Sequence, residues 1–265
     1  MHPSLLVDIQ TVLVTIALIT PRALVCLSIL PGFSMRSLTG IMRNGVAIAI
    51  ALPAALPTYF FVQETPPDYF MAGLLCVKEA AIGLLLGVVM SIPMWAAESV
   101  GNILDTQRSP IQIPANSASI DRDASALGAM LIQAVVLVMI ESGLFVMLAR
   151  IMMESYGTWP AFSLTPPFEP GHLEVLLKRF AELFWHIVVY GGPVLMPLLL
   201  IDLTFALLGV FASTLQISSV SSPIKSLVGM FILLIYWPTF SHYVAEDFAH
   251  ILDFSASLLQ AAPKP

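Results

Sequence analysis

Charge is what this chain has least of. Only 11% of its 265 residues are Asp, Glu, Lys or Arg, against about 25% in an ordinary soluble domain. A water-exposed surface cannot be built from so few charges, so a soluble fold is excluded and an integral membrane protein is expected. Basic residues are scarcer still, and the net charge of −6 excludes the basic footprint of a nucleic-acid binder. Cysteine is nearly absent. Cys26 and Cys76 both lie in apolar runs, which offers neither a disulfide framework nor a metal spacing and suits thiols acting as small hydrophobes. A basic leader is missing from Met1-His2-Pro3-Ser4, and no small-residue cleavage site closes the first apolar run, so the first helix is expected to stay. Strand alternation is absent too, which excludes a barrel. Enzyme signatures are missing: there is no His-Glu-x-x-His, Gly-x-Ser-x-Gly, P-loop or cysteine pair. Ser142 and His186 make a poor membrane-protease pair, because no glycine elbow or base-orienting residue accompanies them. No catalytic, cofactor or metal residue is assigned.

What is present is apolar length. A membrane-spanning helix needs about 20 apolar residues, and six runs qualify, near 9–30, 44–62, 69–97, 127–153, 180–211 and 227–245. Each must be helical to satisfy its own backbone in lipid. Pro21, Pro53, Pro57, Pro93, Pro193, Pro197 and Pro238 fall inside these runs, so kinks are expected. Gly191-Gly192 before Pro193 is the strongest hinge signal. The run 180–211 exceeds one perpendicular span and reads as a tilted helix or two half-helices. The fold class is therefore all-α: one polytopic membrane domain over 1–265, of about six kinked helices or helical hairpins, with an ordered polar loop near 105–123. Pro and aromatic residues in 154–174 suit an interfacial loop. Residues 246–260 read as a short amphipathic helix, with Phe248, Ile251, Leu252, Leu258 and Leu259 at helical spacing. The distribution of Arg36, Arg43, Arg108, Arg122 and Lys225 favours both termini outside and 98–126 facing the cytoplasm.

Ionisable residues at membrane depth, Lys78, Glu79, Glu141 and Asp202, are expected to face protein or water. Lys78 and Glu79 are neighbours, so they project about 100° apart and are not expected simply to pair. An ion path is the sharper reading, and helix or subunit contact the plainer one. Gly83 and Gly87 form a small-xxx-small pattern that lets two helix backbones approach.

The most polar stretch is 98–126, which holds Glu98, Asp105, Arg108, Asp121, Arg122 and Asp123. It opens as a helix carrying Glu98, Asn102 and Asp105 on one face, with Asp105 and Arg108 able to pair one turn apart. Pro110 stops that helix. Residues 110–120 lack a helical period, and Asp121 or Asp123 can cap the helix that follows near Ala124. A plain solvated loop would not need Ile111, Ile113, Ala115 and Ile120, so an ordered loop tucked against protein is expected. A second polar interruption, 215–226, places Pro223 at the first turn of the last spanning helix.

These blocks resemble a known family. Met94-Trp95-Ala96-Ala97-Glu98-Ser99-Val100-Gly101 with Asp105-Thr106-Gln107-Arg108 is similar to the W-A-x-E-x-x-G-x-x-x-D-x-Q-R-G signature of the type III secretion export-apparatus T subunits, relatives of flagellar FliR. Ser221-Ser222-Pro223-Ile224-Lys225-Ser226 resembles that family's S-M-P-I-K-S. Met196 to Asp202 resembles M-L-L-x-D, and Ser155-Tyr156 with Trp159-Pro160 resembles S-Y-x-x-W-P. The order holds from about residue 20 to 240. Ser109 departs from the family's glycine, and Thr214-Leu215-Gln216 from its P-Q-L-N. The Asp-x-Gln-Arg block favours the injectisome branch over the flagellar one. The resemblance implies a non-enzymatic inner-membrane subunit in the base of the secretion system. It would assemble with the R, S and U subunits (the FliP, FliQ and FlhB equivalents) in the lipid bilayer around a path for unfolded substrates. It further implies a pore plug at Ser109, Pro110, Ile111, Gln112, Ile113 and Pro114. Glu98, Asp105, Gln107 and Arg108 would anchor that plug, and Lys78, Glu79, Gly83, Gly87, Glu141, Asp202, Pro223 and Lys225 would make helix or subunit contacts. A self-contained secondary transporter is the rival class, since broken helices and midplane charges suit one, but the two halves show no internal repeat.

Overall fold

The computed structural model describes residues 3–33, 39–108, 125–164, 171–211 and 217–261, and among these every regular element is helical. The helices are α1 (Pro3–Ile29), α2 (Gly40–Ala51), α3 (Ala55–Glu64), α4 (Tyr69–Arg108), α5 (Ala126–Glu141), α6 (Leu144–Thr158), α7 (Gly171–Phe211) and α8 (Ile217–Ala261), with short 3-10 turns at Pro31–Phe33 and Leu52–Ala54. Among the described residues, five helices are long and apolar enough to cross a membrane, or six if the broken pair α5 and α6 counts as one span. A polytopic, all-helical membrane fold follows.

The prolines act unevenly. At Pro53 the helix tightens into the 3-10 turn Leu52–Ala54, which separates α2 from α3. Pro21 leaves α1 continuous. It removes the N–H that would bond the Ala17 carbonyl, and the Cys76 thiol donates to that carbonyl at 3.4 Å instead. Cys76 thus does more than fill space. Three sequence expectations need correction. The run 127–153 is not one helix: it breaks at Gly143, whose φ of 72° is the only positive one among the described residues, a conformation that glycine adopts without the Cβ penalty. No proline marks that break. Of the two readings of the run 180–211, the single long helix holds, since α7 passes unbroken through Gly191, Gly192 and Pro193. Residues 246–260 are not a separate helix but the end of α8. Pro223 is not in the first turn of the last helix, since α8 begins six residues earlier at Ile217.

Two compact units divide the chain. The first gathers Met1–Ile92, Ile140–Phe180 and Phe248–Pro265. Its α1 buries Ile19, Ala23, Cys26 and Leu27 completely, and Leu30 just beyond it, a stripe at three- and four-residue spacing. Gly83 and Gly87 of α4 lie on this stripe: a Cβ at Gly83 would stand 2.2 Å from the Arg22 carbonyl oxygen, and one at Gly87 3.1 Å from the Cys26 Cα. The second unit gathers Pro93–Met139 and Ala181–Asp247. There α4 and α5 cross at Gly101 and Gly128, where a Cβ on Gly101 would meet the Gly128 backbone at 2.5 Å. Burial is lopsided: 56% of the most apolar stretch of α4 is covered within the chain, against 11% for those of α7 and α8. The long C-terminal helices therefore leave most of their apolar surface, including Leu200, Leu207, Phe231 and Leu234, uncovered by this chain.

Candidate functional site

Three polar constellations hold five of the residues singled out in the sequence, Asp105, Lys78, Glu79, Asp202 and Lys225. The first closes the base of the polar insert. Asp105, in the last turn of α4, accepts hydrogen bonds from the Ser125 hydroxyl at 2.6 Å and from the Leu127 backbone N–H at 2.9 Å, both on its Oδ2. Ser125 in turn accepts from the Gly128 N–H at 2.8 Å. The first N–H groups of a helix have no intrahelical partner, and a carboxylate there also meets the positive end of the dipole. Asp105 thus caps α5 from the neighbouring helix. The cap had been expected from Asp121 or Asp123; α5 starts only at Ala126, so Ser125 and Asp105 fill that role. Asn102 faces the same crossing, its Oδ1 at 2.3 Å from where a Gly128 Cβ would be. Glu98 and Gln107 are half-buried on α4. Arg108 ends the helix, and its side chain lies outside the described residues, as do Ser109, Pro110, Ile111, Gln112, Ile113 and Pro114. The ends of the insert are therefore joined by a glycine crossing and a shared cap.

The second constellation is a buried charge cluster in the first unit. Arg22 and Glu79 are both 0% exposed and meet through two 2.8 Å hydrogen bonds, Nε to Oε2 and Nη2 to Oε1. This is the fork geometry that makes arginine–carboxylate pairs strong. Lys78 joins them, with its Nζ 2.7 Å from Glu79 Oε1. The expectation that neighbours on a helix would not pair fails because the lysine side chain is long enough to bring its ammonium to Glu79, the side chain being only 8% exposed. The cations also gather the chain that follows α6. Arg22 donates to the Ser155 hydroxyl at 3.0 Å and to the Trp159 carbonyl at 2.7 Å, and lies 4.2 Å over the Tyr156 ring. Tyr156 donates to the Ile19 carbonyl at 2.7 Å. Arg22 is the site residue that sequence reading passed over. Its signal was a charge inside an apolar run directly after Pro21, but its partner stands 57 positions away.

The third constellation ties α7 to α8 in the second unit. Asp202 and Lys225, singled out separately, meet at 2.7 Å. Nearer the other end, Asp247 accepts from the Tyr190 hydroxyl and lies 2.6 Å from His186 Nδ1. Tyr190 also meets the Phe240 ring edge-on. Glu141 is exposed at the end of α5, and Pro223 is exposed within α8.

Among the described residues, no group of three or more His, Cys, Asp or Glu could hold a metal ion. The polar side chains above bond to helix ends, backbone carbonyls and one another, and every element that carries them is an apolar helix or its cap. The protein is of the multi-pass, all-α membrane class, with its polarity concentrated at helix junctions. Residues 13–251 match the model of bacterial export proteins, family 1, and the chain belongs to that family. It is 30% identical over 257 residues to Yop proteins translocation protein T of Yersinia pestis, covering 97% of this chain and 98% of that one. It is 30% identical over 217 residues to surface presentation of antigens protein SpaR of Salmonella typhimurium, covering 78% and 77%. Flagellar biosynthetic protein FliR of Caulobacter vibrioides is 22% identical over 237 residues, covering 89% and 94%. By family and by its apolar helices, the chain is a multi-pass membrane protein of the bacterial export class.

Proposed function

We propose that this chain is the T subunit of a type III secretion export gate, a non-enzymatic subunit of the bacterial inner membrane. In this reading it assembles with the R, S and U subunits, and the insert between α4 and α5 plugs the path of unfolded substrates. Ser109 to Pro114 form the obstruction, and Glu98, Asp105, Gln107 and Arg108 hold its base. The observation that carries the reading is the Asp105 cap on Ser125 and Leu127. It joins the two ends of a long polar insert at one point, so the insert leaves and re-enters the helices as a closed loop. Irregular backbone near membrane depth is tolerated only within protein or beside a water-filled cavity, and a gate supplies both. The sparse burial of α7 and α8 supports neighbours packing around this chain.

Co-purification tests the assembly. Tagged protein from native membranes, run on a native gel, should migrate as a large complex containing small helical partners. Migration of the tagged chain alone, with solute transport by the reconstituted single chain, would establish the transporter class instead.

A further inference from the structure

The turn after α6 poses a problem that its surroundings solve in an unusual way. The helix ends at Thr158 and Pro160 prevents its continuation, which turns the following carbonyls off the helix. Ala161 is 1% exposed and Pro160 and Ser163 are half-buried, so water has limited access to these carbonyls, and an orphaned buried carbonyl is costly. Three of these carbonyls converge on one point. Lys78 Nζ lies 2.9 Å from Pro160 O, 3.2 Å from Ala161 O and 2.9 Å from Ser163 O. A fourth oxygen, Glu79 Oε1, lies at 2.7 Å.

An ammonium has three donors, and here four oxygens surround it. Three N–H groups cannot point at four oxygens, so the arrangement is that of a shell around a point charge. Carbonyl oxygens that replace a hydration shell are how proteins hold monovalent cations. Two further features call for positive charge at the same place. The Trp159 ring presents its face 5.4 Å from Nζ, within cation–π range, and the C-terminal end of α6 contributes negative dipole. Ser163 O is also pinned by the Trp159 indole N–H at 3.0 Å, which fixes one wall of the shell independently of Lys78.

We propose that Pro160 O, Ala161 O, Ser163 O and Glu79 Oε1 form a monovalent-cation site that the chain fills with its own Lys78 ammonium. The lysine acts as a tethered cation. It organises the turn 159–163, and the site's requirement is a compact positive charge rather than a lysine.

The test is chemical rescue. Lys78→Ala opens the site and leaves room for a small cation, while Lys78→Met fills the space with apolar volume. Wild type and both variants are purified as the full chain in its complex and melted in potassium, ammonium or choline chloride at equal ionic strength. The Lys78→Ala protein should melt several degrees higher in potassium or ammonium than in choline, with a dependence that saturates with concentration as a single site does. Lys78→Met and wild type should show no such difference. Equal melting of Lys78→Ala in all three salts overturns the proposal, as does potassium dependence in the wild type. If the Lys78→Ala complex does not survive purification, protease resistance of the chain in washed membranes, in potassium against choline, makes the same comparison with the same two outcomes.

Discussion

Glu79→Gln should damage this protein more than Arg22→Met, although each change removes one partner of the same bidentate pair. Two cations and one anion meet in the cluster, leaving one net positive charge among groups that are 0%, 8% and 0% exposed. Removing Glu79 leaves two buried cations with no carboxylate. Breaking a buried pair so that charge is left uncompensated costs about 3–5 kcal/mol. Removing Arg22 leaves Glu79 matched by Lys78 at 2.7 Å. The main loss is then one donor to the part-buried Trp159 carbonyl, and a hydrogen bond contributes about 0.5–1.5 kcal/mol net. The Ser155 hydroxyl keeps its bond to the Met152 carbonyl at 2.6 Å. In a chain of this size about 1 kcal/mol shifts the midpoint by about 2–4 °C, so the two variants should separate by several degrees. Thermal inactivation of the detergent-solubilised complex, at one scan rate because membrane proteins often unfold irreversibly, reads the order. Adding Arg22→Met to Glu79→Gln should recover part of the loss, since it removes one of the uncompensated cations. Equal losses in the two single variants, or further loss in the double variant, would refute the charge accounting.

Three other outcomes follow from the packing. Gly83→Ala should be far worse tolerated than Gly87→Ala, because its Cβ meets the Arg22 carbonyl at 2.2 Å while that at Gly87 meets its nearest atom at 3.1 Å; expression and assembly levels of the pair show the contrast. Gly143→Ala has open space around its Cβ yet should cost roughly 1–2 kcal/mol, the penalty of a left-handed conformation for an L-residue, seen as a lowered melting midpoint without loss of contacts. Asp202→Asn should change stability by no more than about 1 kcal/mol, because the carboxylate is 39% exposed in this chain. A larger loss in the assembled complex than in the isolated chain would show that a neighbour buries the pair.

Much of the architecture was legible because a bilayer imposes it. Apolar length set the helix positions, and the small-xxx-small spacing of Gly83 and Gly87 pointed to the close crossing that α1 occupies. What escaped were features decided by contacts distant in sequence or by backbone dihedrals. Arg22 reads as one stray charge until Glu79, Ser155 and Trp159 are brought around it. The break between α5 and α6 rests on a single glycine dihedral, whereas Gly191-Gly192-Pro193, a louder signal, stays helical within α7. The cap of α5 was sought among nearby aspartates, and came from Asp105 on the preceding helix, 22 positions before the Leu127 N–H it accepts. Residues 109–114 lie outside the described residues, so for the insert itself the motif and the closed base carry the reading.

The central claim is that the insert obstructs a path. Deleting residues 110–117 while keeping Asp105 and Ser125 leaves the cap that joins α4 to α5 intact. Ion conductance across membranes bearing the assembled apparatus then tests the claim most directly. A rise in resting conductance with the complex still assembled is the result expected. An unchanged conductance in a fully assembled complex would contradict it.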